Sequence, residues 1–480
     1  MNRSVLFSFL LFLILISCTP TVSEKGKSIQ ERIISEMSVE QPQENLPEEK
    51  IQEQADLPSK HTVRIGILDD ELRIMFSFTG LYSVHSQDKR IFKKKKSAGT
   101  WKIYPENEKI VAENIESGES ITVVGDLIFK PEQISSYLTL SKIASGKQWV
   151  WPDSKSRSYK GSIEFINING KITVVNEVGI EQYVYGVVPS EMPSGAPVEA
   201  LKAQAVLART NVFSKIGSKY KDKPYSLSSD IYSQVYTGID HVNTRTDKAV
   251  DETRGMILTY GGKAVDAVFH SVCGGYLEGN DVIWGSKRLP YLNPKPSFSS
   301  NIRIYGDLSV EKNFRNWIDS RPESYCNMDN KNIPAGLEFV KKYYRWEVKI
   351  PRSRLEKTIR SSTGVDVGSI KDISIVSRGE SGKAKSVLIS GSKNNVTITR
   401  ELNIRKKLAS PPLYSANFYV VRSSADKNGY PEYFILKGAG FGHGTGMCQT
   451  GAVGMALTGK NYREILDFYF HGAEIKELGE

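Results

Sequence analysis

The chain has 480 residues, 39% hydrophobic and 25% charged, enough apolar material for a large core and for more than one domain, which excludes a disordered or fibrous protein. Its formal net charge of +10, with a run at Lys93 to Lys96, favours contact with an anionic polymer or surface such as nucleic acid, lipid or cell wall.

At the N-terminus, Met1-Asn2-Arg3 precedes the apolar run Val5 to Ile16, a charged region and an apolar region too short to stay as a spanning helix. That pattern is an export signal, and it disfavours nucleic acid as the partner. The run ends in Leu15-Ile16-Ser17-Cys18, which resembles a bacterial lipobox. Cleavage there would leave Cys18 to carry lipid and anchor an exported lipoprotein to a membrane of the cell envelope; the alternative is a chance cysteine after a signal peptide. Residues 1–18 are therefore read as signal and lipobox, and 19–60, rich in Glu, Gln, Ser and Pro, as a disordered tether.

From Val63 to about Trp151, short alternating runs such as Val63-Arg64-Ile65-Gly66-Ile67 and Ser120-Ile121-Thr122-Val123-Val124 are the pattern of half-buried strands. Residues 61–158 form a strand-rich N-terminal domain on this reading, and 159–480 a mixed domain. In the latter, Asn169-Gly170 predicts a hairpin turn between Ile163–Ile166 and Ile172–Val175.

Next comes Val188-Pro189-Ser190-Glu191-Met192-Pro193. The two prolines predict a stiff, extended loop that holds Glu191 in place. A helix is expected from Pro197 to Lys215, with Leu201, Ala205, Ala208 and Val212 on one buried face. Arg209 borders that face and is placed to pair with a carboxylate from the preceding loop, so a structural Glu–Arg clamp stands beside a catalytic reading of Glu191. Farther on, Gln234-Val235-Tyr236-Thr237-Gly238 reads as a polar and aromatic loop, Thr246 to Arg254 as a short helix, and Gly261-Gly262 as a strand-to-strand turn. Phe269-His270-Ser271-Val272-Cys273-Gly274-Gly275 and Gly438-Ala439-Gly440-Phe441-Gly442-His443-Gly444-Thr445-Gly446-Met447-Cys448-Gln449-Thr450-Gly451-Ala452 let backbone approach a ligand or a core closely.

Taken together, the Glu191 loop with Glu199–Thr210, the Gln234–Gly238 loop with His270–Gly275, and the Gly-His-Gly-Thr-Gly-Met segment resemble the SpoIID/LytB domain family of bacterial wall proteins, over about residues 159 to 475. Cys448 and Thr450 depart from the Ser and Tyr more usual there. The resemblance implies lytic cleavage of peptidoglycan glycan strands already stripped of stem peptides, with Glu191 as catalyst, Arg209 as the family's helix arginine, and 1,6-anhydro-muramic ends as product.

Simple chemistry is compatible with that implication. Hydrolysis of a glycosidic bond calls for two carboxylates, whereas attack by the sugar's own C6 hydroxyl needs one group that is acid and then base. An acid working near neutral pH must be raised by burial, and a nearby arginine would lower it, so Arg209 is expected to reach substrate or loop backbone rather than the Glu191 carboxylate. Tyr236 is a candidate for stacking on a sugar, His443 for orienting it, and Gln449 for binding it; for Tyr236 and His443 the alternatives are core packing and loop structure.

Cys273, Cys326 and Cys448 remain, an odd number if Cys18 is lipidated. No metal or other cofactor is required. His270-Ser-Val-Cys273 nevertheless has half a metal site's spacing, and zinc occurs in some members of the resembling family, so zinc at His270, Cys273 and Cys326 is one option and a Cys273–Cys326 disulfide the other. The expected fold is α+β: a strand-rich domain, then a mixed SpoIID-like domain whose glycine-rich C-terminal segment lines a cleft. The competing function is a non-enzymatic one, an amidase enhancer or glycan-binding wall lipoprotein whose partner is a cell-wall amidase.

Overall fold

The structure is a computed structural model and describes residues 61–87, 89–96, 99–141, 156–217, 220–298, 305–329, 331–334 and 336–478. The export signal, Cys18 and the tether lie outside the described residues. The fold is α+β. No helix among the described residues is long and apolar enough to cross a membrane.

Alternation of apolar residues builds the first layer pair. A seven-stranded sheet runs in the order Leu227–Ser228, Thr62–Glu71, Lys171–Gly179, Ser162–Ile168, Asp126–Pro131, Leu81–Ser86 and Lys89–Lys96. A six-stranded sheet runs Arg157–Tyr159, Tyr137–Ser141, Ile74–Thr79, Trp101–Glu106, Lys109–Asn114 and Ser120–Val124. Val63, Ile65 and Ile67 point inward from the first strand at period two. Phe76 of the smaller sheet meets Phe129 and Phe165 of the larger at ring separations of 5.1 and 5.0 Å, joining the two sheets through one aromatic core. The hairpin turn falls at Asn169-Gly170, both in the left-handed region at φ 53° and 75°, which pins the register of Ile168 opposite Lys171. The strands on either side of position 158 share these sheets, so the cut at 158/159 runs through a continuous core.

That hairpin delivers the chain into the helix Ile180–Glu191, and the helix Val198–Lys215 follows. The second helix buries more than the single face its spacing predicts. Nearly every residue from Ala200 to Val212 is enclosed, because it is packed by the Ile180–Glu191, Thr244–Asp251, Gln449–Leu457 and Tyr462–Tyr469 helices and by the Met256–Tyr260 strand. The alanines Ala203, Ala205 and Ala208 let these neighbours approach from several sides.

A second core lies within residues 346–436, built from Trp346, Leu355, Ile370, Val387, Ile389, Phe418 and Phe434. Its helix Glu401–Leu408 packs on the short helix Asn280–Trp284 and so faces the first core.

Candidate active site

Glu191 does not sit in an extended loop. It is the last residue of the Ile180–Glu191 helix, with Pro189 inside the final turn. Proline removes one helical donor, but so close to the end the loss is tolerated: Ser190 Oγ donates to the Gly186 carbonyl at 2.6 Å, and the Met192 N–H closes the turn on Val188 at 2.9 Å. Pro193 then acts as expected on the residue before it, holding Met192 extended at φ −134°, ψ 136° and ending the helix.

Gly186 positions what faces this turn. A Cβ there would lie 2.4 Å from the Gly238 carbonyl and 2.6 Å from the Tyr236 ring, so glycine lets the 229–238 loop lie directly against the helix. Ser190 Oγ and Thr237 Oγ1, 2.7 Å apart, tie the two together. In that geometry the Val235 N–H donates to Glu191 Oε1 at 2.7 Å. From the other side Gln449 Nε2 donates to the Glu191 carbonyl at 3.2 Å and to Gln204 Oε1 at 3.3 Å.

The electrostatics favour a protonated acid. Burial pushes the Glu191 carboxyl up to about 7, while the Val235 N–H and the Gln449 amide pull the other way. The negative end of the helix dipole lies beneath the group and also disfavours its charge. No cation and no second carboxylate pairs with it among the described residues. The residue keeps partial solvent exposure, so a protein-enclosed acid stands at an open edge.

Arg209 is elsewhere. It is fully buried and forks onto Glu181, Nε to Oε1 and Nη2 to Oε2, each at 2.7 Å, with Nη1 donating to the Met256 carbonyl at 2.9 Å. The expected contact with substrate is therefore corrected: all three guanidinium nitrogens are used inside the protein. Glu181, the true partner, sits in the first helical turn, two residues after the hairpin strand. Tyr236 is likewise corrected to core. It is 1% exposed, wedged between Tyr159 and Tyr183 at 5.8 and 4.9 Å, and its hydroxyl donates to Asn176.

His443 has both ring nitrogens committed. Its Nδ1 accepts from the Thr445 N–H at 3.1 Å, which leaves Nε2 as the protonated nitrogen, donating to the Phe269 carbonyl at 2.9 Å. Burial and then Lys383 lower its pKa to about 3, so the ring is neutral. It braces the glycine ribbon instead of offering a nitrogen to a sugar. The ribbon does reach Glu191: Phe269–His270 pairs in parallel with Met447–Cys448, and Gln449 follows at once.

The cysteines also assemble. Cys273, Cys326 and Cys448 are buried free thiols, so the disulfide alternative is not formed, and Cys273 Sγ lies 3.4 Å from Cys326 Sγ. The ligand atoms of His270, Cys273 and Cys448 all lie within 4.8 Å of one another. His270 Nδ1 is engaged with the Thr445 carbonyl at 3.1 Å, and its buried Nε2 has no hydrogen-bond partner among the described residues. Two thiols and an orphaned imidazole nitrogen are thus three of the four donors that a tetrahedral zinc site takes, and the Cys326 thiol lies beside Cys273 but outside the group of three. Sequence spacing showed His270 and Cys273 but missed Cys448, which arrives from a strand paired beside them.

Two partners at this site have roles that sequence reading did not give them: Val235 acts through its backbone, and Gln204 hides among helix alanines.

Strands and helices together define an α+β protein with one enclosed acid at a helix end, and comparison with known proteins shows its family. The family model described as Stage II sporulation protein matches residues 168–260, and a domain of unknown function, DUF8618, matches 278–446. An uncharacterized protein of Brachyspira hyodysenteriae is 33% identical over 317 residues, 66% of this chain and 72% of that one. The amidase enhancer of Bacillus subtilis is 29% identical over 396 residues, 78% of this chain but only 50% of its own length. Stage II sporulation protein D of Bacillus subtilis is 27% identical over 318 residues, 63% of this chain and 76% of that protein. The chain belongs to the SpoIID family.

Proposed function

We propose that this protein cleaves peptidoglycan glycan strands by a lytic transglycosylase reaction with Glu191 as its single acid and base. The observation that carries the reading is the state of that carboxyl: enclosed, raised to about 7, held by the Val235 N–H while the Gln449 amide holds the main-chain carbonyl of the same residue, and paired with no cation among the described residues. The protonated carboxyl gives its proton to the glycosidic oxygen as the bond from that oxygen to muramic C1 breaks. The C6 hydroxyl of the same sugar then bonds to C1, and its proton passes to the Glu191 carboxylate. Atoms balance without water, and the acid is regenerated for the next turnover.

Digesting stem-stripped glycan strands with wild type and Glu191→Gln tests the proposal. Anhydro-ended fragments from the wild type and none from the variant are expected by mass spectrometry; equal product from both would overturn it. A second reading follows from the relative named amidase enhancer: the same groove could bind glycan while a separate amidase does the cutting. Stimulation of such an amidase by Glu191→Gln as well as by wild type, with no anhydro product from either, would favour it. The export and lipid attachment expected at Cys18 belong to the proposal too. Incorporation of labelled palmitate that Cys18→Ser abolishes is the expected result.

A further inference from the structure

Trp284 ends the five-residue helix Asn280–Trp284, and its indole is 40% exposed. Leaving so large an apolar surface in water forfeits burial, and the surroundings hold it there rigidly. Asn280 beneath it accepts from the Leu289 N–H and donates to Ser286 Oγ and the Lys287 carbonyl, all at 2.8 to 2.9 Å. Asp281 takes a two-pronged bond from Arg288 at 2.9 and 3.0 Å. The indole rests 5.2 Å from the His443 ring, which both of its nitrogens fix to backbone. Since His443 is bonded to Phe269, and the Phe269–His270 strand pairs with the one that leads into Gln449, Trp284 is braced on the same ribbon that holds Glu191.

A second exposed aromatic lies on the loop that binds the acid. Tyr232, 51% exposed, lies three residues before Val235, whose N–H binds the acid. The helix Glu401–Leu408 links the two: it packs on the Trp284 helix, offers Leu402 at 44% exposure, and places Lys406 Nζ 5.8 Å from the Tyr232 ring. Isolated, rigid aromatics amid polar groups suit a ligand with alternating apolar and polar faces. A pyranose ring is such a ligand, with C–H groups on its faces and hydroxyls around its edge, and an indole is amphipathic in the complementary way.

We propose that Trp284 is a stacking platform for a pyranose ring of the β-linked amino-sugar strand, with Tyr232 as the opposite wall of the same subsite. This rests on the reading that glycan is the ligand, but it does not depend on which step Glu191 performs. The test uses the full chain carrying Glu191→Gln, so that nothing is turned over, and sedimentation with insoluble stem-stripped glycan strands. Trp284→Ala should weaken binding about tenfold or more, and Trp284→Phe, which keeps an aromatic face, less than about threefold. Unchanged binding by Trp284→Ala would overturn the platform. Where Trp284→Ala lowers the melting temperature, hydrogen exchange over residues 280–289 decides instead: slowing on addition of strands supports the platform, and no change overturns it. Glycan binding that needs Trp284, without anhydro product from the wild type, would leave the platform standing and remove the lytic mechanism alone.

Discussion

The helix Ile180–Glu191 carries a glutamate near each end, and the two are treated in opposite ways. Glu181 receives a bidentate arginine and a backbone N–H, an arrangement that fixes a half-buried carboxylate in place. Glu191, ten residues on, receives one N–H and a neighbouring amide and is pushed up to about 7 by burial. One helix thus carries a clamped carboxyl at its start and an unclamped, raised one at its end, with Arg209 given to the first. The largest effect that can break this contrast is Glu191→Gln, which should cost about 10²-fold or more in the rate of anhydro-product formation, while its melting temperature stays level or rises. A variant that kept its rate, or one that unfolded, would make Glu191 a second structural acid.

Arg209 supplies the converse. Arg209→Met leaves Glu181 deprived of its buried partner and should destabilise by about 3–5 kcal/mol, measured by denaturant unfolding. Adding Glu181→Gln to it should restore much of that loss, since the stranded charge is gone. A loss of activity at full stability would instead return Arg209 to the substrate side of the comparison.

Why the sequence revealed one acid and not the other's partner is a matter of range. Glu191 announced itself because prolines and its neighbours act locally, yet Pro189 was overridden by a helix with only one turn left to disturb. Period-two runs and Asn169-Gly170 were legible for the same local reason. The Glu181–Arg209 pair is set by how two helices cross, the enclosure of Tyr236 by rings from two other segments, and the convergence of Cys326 and Cys448 by a loop and a parallel strand pair. None of these leaves a mark on spacing. Trp284 was invisible because a five-residue helix has no periodicity to read.

The acid's elevated pKa gives the comparison a pH axis. As a proton donor Glu191 works in its neutral form, so kcat/KM should fall as pH rises through about 7. For stability, the folded chain holds this proton between the ordinary value of 4.5 and about 7, whereas the unfolded chain has released it, so Glu191 removes stability as pH climbs through that window. Glu191→Gln should flatten that slope, and urea unfolding at pH 5 and pH 8 measures it. A smaller effect concerns the ribbon on which Gln449 is carried. Protein purified without chelator is expected to bring one zinc per chain, with Cys448→Ala losing the metal and several degrees of melting temperature, because His270 Nε2 and the remaining thiols are left short of a closed site. Metal-free wild type with three titratable thiols would argue that the cluster is simply packed.

The smallest expected effect separates the two tyrosines of the loop whose Val235 N–H binds Glu191. Tyr236→Phe removes the hydroxyl bond to Asn176 at 2.9 Å inside the core, which should cost about 1 kcal/mol of stability and leave glycan affinity alone. Asn176 retains its donated bonds to the Lys160 and Ser162 carbonyls, so the loop that presents Val235 stays in place. Tyr232→Ala should do the reverse, because an exposed ring contributes little to folding and its loss opens one wall of the groove. Measuring unfolding and glycan sedimentation on both variants asks which aromatic faces the ligand. If Tyr236→Phe, the buried change, were the one to weaken binding, the groove would have to extend into the Tyr159–Tyr183–Tyr236 stack, and Glu191 would be approached from beneath its helix and not from the open edge.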